Sequence, residues 1–206
     1  MARNSREDAA ATRQSILDAA IELFMAQGVT RTSLAEIAQR AGHTRGAIYH
    51  HFENKAQIME ELIRSVNLPW EDLFGNSDHV TLGQFHQNVL RAMRSLFADE
   101  RRKRINTILF HRCEFVQEMN PAYQQSINHS LDLLESTEDV FRHAQQSGEL
   151  AAHYDPRQLA FILQSMGMGL YWHFLREPWC GQIEVDLETA LNVFFSGLEK
   201  GHPAQN

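Results

Sequence analysis

The chain has 206 residues, 43% of them hydrophobic, which suits one or two packed domains and excludes a disordered polypeptide. No apolar run approaches the ~20 residues that a bilayer span needs, and the opening MARNSREDAAATRQ has no apolar block behind its arginines, so no membrane partner and no secretory leader are expected. The net charge of −7 lies wholly beyond residue 64, because residues 1–64 carry eight basic and eight acidic side chains.

The first helix is expected in TRQSILDAAIELFMAQG, where Ile16, Ala20, Leu23 and Phe24 share a face and Gly28 is a natural stop. In TSLAEIAQRAG, Ser33 and Glu36 have capping-box spacing, while Leu34, Ile37, Ala38 and Ala41 recur at i, i+3, i+4 and i+7. Gly42 closes that helix, and Thr44 caps a short one over about 45–51. Asn54 and Gln57 start a fourth with Ile58, Leu62, Ile63 and Val66 on one stripe. The stretch 68–80 reads as a connection. Helices are then expected at about 81–98, 100–118 and 121–147, the last stopped by Gly148. Asp155-Pro156 opens another to about Phe174, REPWCGQ breaks it, and a final helix runs over about 186–198. Strand alternation and internal repeats are missing, so the class is all-α: an N-terminal three-helix domain with a helix-turn-helix, plus a larger C-terminal helical domain, about nine helices in total.

Two helices joined by a four-residue turn, Ala41-Gly42-His43-Thr44, with the second short and polar, form a helix-turn-helix whose second helix enters the major groove. Arg45 leads that helix, where a guanidinium pairs with guanine O6 and N7. Gly46 and Ala47 allow close approach. Thr44, Tyr49, His50, His51 and Lys55 carry donors for phosphates. Ile48 and Phe52 face inward. The competing readings are a local core, a polar surface, or a metal site on His43, His50 and His51. The adjacent pair His50-His51 diverges on a helix, and no acid or cysteine stands at ligand spacing, so no metal or other cofactor is expected. An enzyme is disfavoured, since the sequence has no nucleophile elbow, phosphate loop or H-E-x-x-H. A non-specific architectural DNA binder is disfavoured by the acidic remainder.

The segment TRQSILDAAIELFMAQGVTRTSLAEIAQRAGHTRGAIYHHFENKAQIM resembles the DNA-binding domain of the TetR family of bacterial repressors, with the pattern TSLxEIAxxAGxTRGAIYxHFxxK over residues 32–55. His43 departs from it, standing where the family usually has an apolar residue. By position, the resemblance implies that Thr44, Arg45 and Gly46 are base-side residues and that Thr32, Tyr49, His51 and Lys55 contact phosphate. His50 falls at a variable position. The resemblance further implies a DNA-binding domain over 1–53 and an effector-binding and dimerisation domain over 54–206.

RRKRINTILFHRCEFVQEM, residues 101–119, resembles the matching segment of the AcrR and TtgR subgroup of multidrug-efflux repressors. An apolar pocket with few polar fixers suits the composition. The candidate lining is Leu62, Met93, Leu96, Asn106, Leu109, Phe110, Cys113, Leu134, Phe161 and Met166, with Asn106, Phe110 and Cys113 as one row and Asn106 as the polar group. The basic run DERRKR reads as a solvated face or a partner of acidic helices. The apolar excess in 156–175 and 185–199 needs a partner, and a second copy of the chain across these helices supplies it. The expected protein is therefore a cytoplasmic homodimeric repressor. It binds a pseudo-palindromic double-stranded operator, is released by a small apolar or aromatic effector, and controls a multidrug efflux pump. The alternative is a TetR-type regulator that answers to an acyl or signalling metabolite. Two cysteines, Cys113 and Cys180, are too few for a disulfide framework and are expected as reduced thiols.

Overall fold

The computed structural model describes residues 2–66, 73–74, 80–113, 120–176 and 187–199. Every regular element among them is helical. In chain order they are α1 (Ala2–Gln27), α2 (Leu34–Arg40), α3 (Arg45–Tyr49), α4 (Lys55–Val66), α5 (Leu82–Ala98), α6 (Glu100–Thr107), a single π-helical turn (Ile108–Arg112), α7 (Asn120–Ser147), α8 (Pro156–Leu175) and α9 (Leu187–Glu199). No described helix is long and apolar enough to cross a membrane. The expected connection at 68–80, the REPWCGQ break, Cys180 and the ends of the helices expected at 100–118 and 186–198 lie largely outside the described residues.

The chain packs as two compact units: 1–67 with 100–127, and 68–99 with 128–206. The first unit is built on α1 to α4, α6, the π turn and the start of α7. Ile16, Phe24, Ile37, Ile48, Phe52, Ile58, Met59, Leu62, Ile105 and Ile108 are fully buried together at its centre. α1 begins about ten residues earlier than its apolar periodicity. Residues 7–11 are exposed, so no stripe marks them, and the run Ala9-Ala10-Ala11 carries the helix by propensity alone. Ser33 and Glu36 form the expected capping box, and Thr44 Oγ accepts from Ala47 N at 3.2 Å. Asn54 Oδ1 accepts from Gln57 N at 3.0 Å, while Gln57 Oε1 accepts from Glu53 N at 2.8 Å. Gly42 has φ +75°, a region in which a side chain costs roughly 1–2 kcal/mol, and this lets the chain reverse between α2 and α3.

The helix expected over 100–118 is different. Its α geometry stops at Thr107, widens into the π turn, and gives way to extended backbone at Cys113. The Arg112 carbonyl is taken by the Val29 N–H at 3.1 Å, so it is committed to the loop behind α1 and not to a continuing helix. A tertiary hydrogen bond of this kind leaves no trace in residue spacing.

The second unit buries Phe85, Phe141, Ala160, Leu191 and Phe195 among α5, α7, α8 and α9. Phe85 meets Phe141 and Phe195 edge-on, at centroid distances of 5.9 and 6.2 Å. Thr81 and Gln84 form a capping box on α5, and Leu82 N donates to Glu149 Oε2 at 2.8 Å. Asp155 caps α8 ahead of Pro156, as expected from the sequence.

Candidate nucleic-acid interface and apolar cavity

α2 and α3 are short, and their buried residues fix them on one floor. Ile37 and Ala38 anchor α2, and Ile48 and Phe52 anchor α3 and the turn behind it. With those apolar positions facing inward, Thr44, Arg45, Gly46, Tyr49 and His50 are all exposed on the opposite side. Tyr49 is 48% exposed, a large ring turned to solvent with its hydroxyl available. At Gly46 an added Cβ would meet nothing nearer than Thr44 Oγ1 at 3.9 Å. The protein's own packing therefore does not require glycine there; a close-lying external partner would.

Arg13 of α1 organises this face from beneath. Its NH1 donates to the His51 carbonyl at 3.0 Å, its Nε donates to Glu61 Oε1 at 2.8 Å, and its guanidinium lies 4.4 Å from the Phe52 ring centroid. One side chain thus links α1, the end of α3 and α4. The sequence held a signal for it: a cation at position 13 continues the apolar stripe of Ile16, Ala20 and Phe24. Thr32 and Lys55 also brace the frame. Thr32 is 2% exposed, and its hydroxyl donates to Gly28 O at 2.8 Å. Lys55 Nζ donates to Val29 O at 2.9 Å and to Thr30 O at 3.2 Å while remaining half-exposed beside Tyr49.

His43 sits half-buried in the turn. Its Nε2 is 2.8 Å from Ser15 Oγ. The Ser15 hydroxyl already donates to Thr12 O at 2.8 Å, so its oxygen accepts and the histidine carries its proton on Nε2. A polar tie to α1 replaces the apolar contact implied by the family pattern. His51 is half-buried, and its pKa lies below the ordinary histidine value, first through burial and then through the Arg13 charge. The folded unit therefore resists protonation there more than the unfolded chain does. Stability is full above pH ~6.5 and falls as acid takes the pH through that value. We expect the melting temperature to drop between pH 7.5 and pH 5.5, with a shallower drop in His51→Gln. His129 of the second unit, which burial shifts the same way, adds to the residual slope. Identical slopes in the two proteins would remove His51 from this account.

In the second unit, α5, α7 and α8 with Leu73 and Phe74 line a half-open cavity of about 160 Å³. Phe74, Phe85, Val89, Met93, Leu96, Leu133, Leu163, Met168 and Tyr171 supply apolar and aromatic walls, and Thr137 and Gln164 are the polar side chains among its described lining. Of the candidate pocket residues, Met93 and Leu96 line this cavity. Leu134 and Met166 are half-buried on the same core without lining it, and Phe161 is 61% exposed. The others sit in the first unit: Leu62 and Leu109 in its core, Asn106 half-buried on α6, Phe110 exposed, and Cys113 half-buried beside a polar hollow with Arg31 and Arg112. The π turn breaks the i, i+4, i+7 row that the spacing of Asn106, Phe110 and Cys113 assumed. Thr137 was readable as a polar interruption in the α7 stripe of Leu133, Val140, Phe141 and Ala144.

A glycine-turned helix pair with its arginine-led helix outward, carried on a chain whose second helical unit holds an apolar cavity, defines a helix-turn-helix transcriptional regulator. Residues 16–62 match the family model for bacterial regulatory proteins of the tetR family, and residues 81–196 match that for the C-terminal region of MAATS-type transcriptional repressors. The chain belongs to the TetR family. It is 35% identical over 201 residues to the transcriptional regulator TtgR of Pseudomonas putida, covering 94% of this chain and 96% of the relative. Against the regulator AcrR of Shigella flexneri the identity is 35% over 185 residues, with 86% and 85% covered. A crystal structure of NalD, the secondary repressor of the MexAB-OprM multidrug efflux pump in Pseudomonas aeruginosa, superposes with a TM-score of 0.83 at 37% identity, covering 93% of this chain and 98% of that one.

Proposed function

We propose that this regulator binds a pseudo-palindromic operator as a homodimer, is released by a small apolar or aromatic effector, and controls a multidrug efflux pump from the cytoplasm. The observation that carries the reading is the outward face of α3. Arg45 stands at a helix start capped by Thr44, next to a glycine that internal packing does not require. Arg45 and Gly46 take the base-side role with Thr44. Tyr49, His51 and Lys55 take phosphates, and His50 tunes operator choice; Thr32, expected among the phosphate contacts, is buried with its hydroxyl on Gly28 O and its N–H on Val29 O, so its part is to brace the α1–α2 loop.

Residues 1–53 are the reading domain in this account, and residues 54–206 serve the effector and the dimer. Phe161, Ile162 and Trp172 on α8 and Val193 on α9, the last 68% exposed, form the apolar surface for a second copy. Two-fold pairing sets two reading helices about 34–36 Å apart, one turn of the double helix. Efflux control is supported by the likeness to NalD and its pump.

The test is a binding titration on the DNA upstream of the regulator's own gene and on a scrambled duplex at matched salt. Two protomers per duplex and clear preference for the native sequence are expected. An effector coupling of about 1–3 kcal/mol then weakens that complex roughly 5- to 150-fold. Equal affinity for both duplexes would refute the operator-specific reading.

A further inference from the structure

The cavity of the second unit presents two polar groups of defined character. Thr137 is 6% exposed, and its side chain makes no hydrogen bond among the described residues. Gln164 Nε2 donates to Ser130 O at 2.9 Å. A carbonyl can only accept, so that bond fixes which end of the amide is nitrogen and leaves Oε1 as an acceptor for something else. Around these two the walls are phenyl rings, aliphatic side chains and the thioethers of Met93 and Met168. Gly167 belongs to the same wall, and a Cβ there would come 3.5 Å from Met93 Sδ. The volume of about 160 Å³ is close to the ~150 Å³ of an apolar cavity that accepts benzene.

The geometry points to an uncharged monocyclic phenol as the guest of this cavity, with Thr137 and Gln164 as the residues that set specificity. The ring lies among Phe85, Met93 and Tyr171, where thioether and edge-on aromatic contacts favour it. The phenol O–H donates to Gln164 Oε1, and the Thr137 hydroxyl donates to the phenol oxygen. A guest with a fixed charge would be stripped of water against rings and thioethers, which these two neutral groups do not offset. This assignment rests on the proposed reading of the cavity as the effector site and narrows it to one chemistry.

The test uses the full chain and three probes: 4-propylphenol, its methyl ether 4-propylanisole, and the quaternary cation 4-propylphenyltrimethylammonium. Calorimetric titration is expected to give the phenol about tenfold higher affinity than the ether, as for one buried hydrogen bond, and no measurable cation binding. Gln164→Met brings the phenol-to-ether ratio close to one, because only the phenol has a proton to give its acceptor, while Thr137→Val weakens phenol and ether alike and keeps the ratio, because both oxygens accept from the Thr137 hydroxyl; melting temperature is the check on folding. Thr137→Ser keeps both affinities. Gly167→Leu, a better helix former whose side chain enters the cavity, abolishes binding. Equal affinity for phenol and ether, a ratio unmoved in Gln164→Met, affinities unmoved in Thr137→Val, tight cation binding, undiminished binding in Gly167→Leu, or no phenol binding would each overturn the proposal. Operator affinity is measured alongside. A phenol bound with the expected discrimination that leaves operator affinity unchanged would overturn the effector reading and leave the cavity assignment standing.

Discussion

Phe52→Ala is expected to cost the first unit about 3–5 kcal/mol, the largest stability loss from a single substitution at the helix-turn-helix. The ring is fully buried, it shares the core with Ile48, Ile37 and Ile58, and the Arg13 guanidinium rests on its face. Removing it opens a hole, takes away the surface on which Arg13 lies, and frees the end of α3. A loss of that size is a large fraction of the 5–15 kcal/mol that keeps a domain folded. Denaturant unfolding checks it, with Phe52→Leu, which removes less volume and stays apolar, as the control expected to cost less than the alanine variant. A cost for the alanine variant below about 1 kcal/mol would mean that the ring does not hold the reading helix.

Arg45→Ala is expected to do the opposite: leave the fold intact and erase sequence preference. The side chain is exposed and has no part in either core, so melting should be unchanged. A bidentate arginine–guanine contact is worth about 1–3 kcal/mol of discrimination, and the ratio of operator to scrambled affinity should fall roughly 5- to 150-fold. The salt dependence should change little, because the lost contact is to a base and not to a phosphate. A uniform loss on both duplexes, with a shallower salt slope, would move Arg45 to the phosphate-contacting group.

The helix-turn-helix was legible because local rules dictate it. Ser33 with Glu36, Gly42 at positive φ, Thr44 as a cap and the Ile48–Phe52 pair are each readable from spacing alone, and the structure places all of them as expected. Arg13 was overlooked, although its place on the apolar stripe of α1 marked it. Its three partners are 38 to 48 residues away in sequence, beyond the reach of periodicity. The cavity was legible in kind more than in place. Methionine and aromatic content announced apolar walls, but which residues face the space depends on how α5, α7 and α8 rotate against one another. The Asn106, Phe110 and Cys113 row assumed an unbroken α-helix. The π turn at 108–112, held by the Arg112 carbonyl, is a long-range effect written in backbone atoms.

That same turn bears on how the chain can be divided. Ile105, Ile108 and Leu109 lie some forty residues beyond α4 in sequence, yet they complete the hydrophobic centre shared by α1, α3 and α4. Cutting behind Val66 would not liberate a self-sufficient module, because it would strip those three aliphatic side chains from their neighbours and wet the surface they cover. Any shortened version has to carry the stretch through Arg112, and a mutation scan of that stretch belongs with the operator contacts although it lies inside the C-terminal sequence.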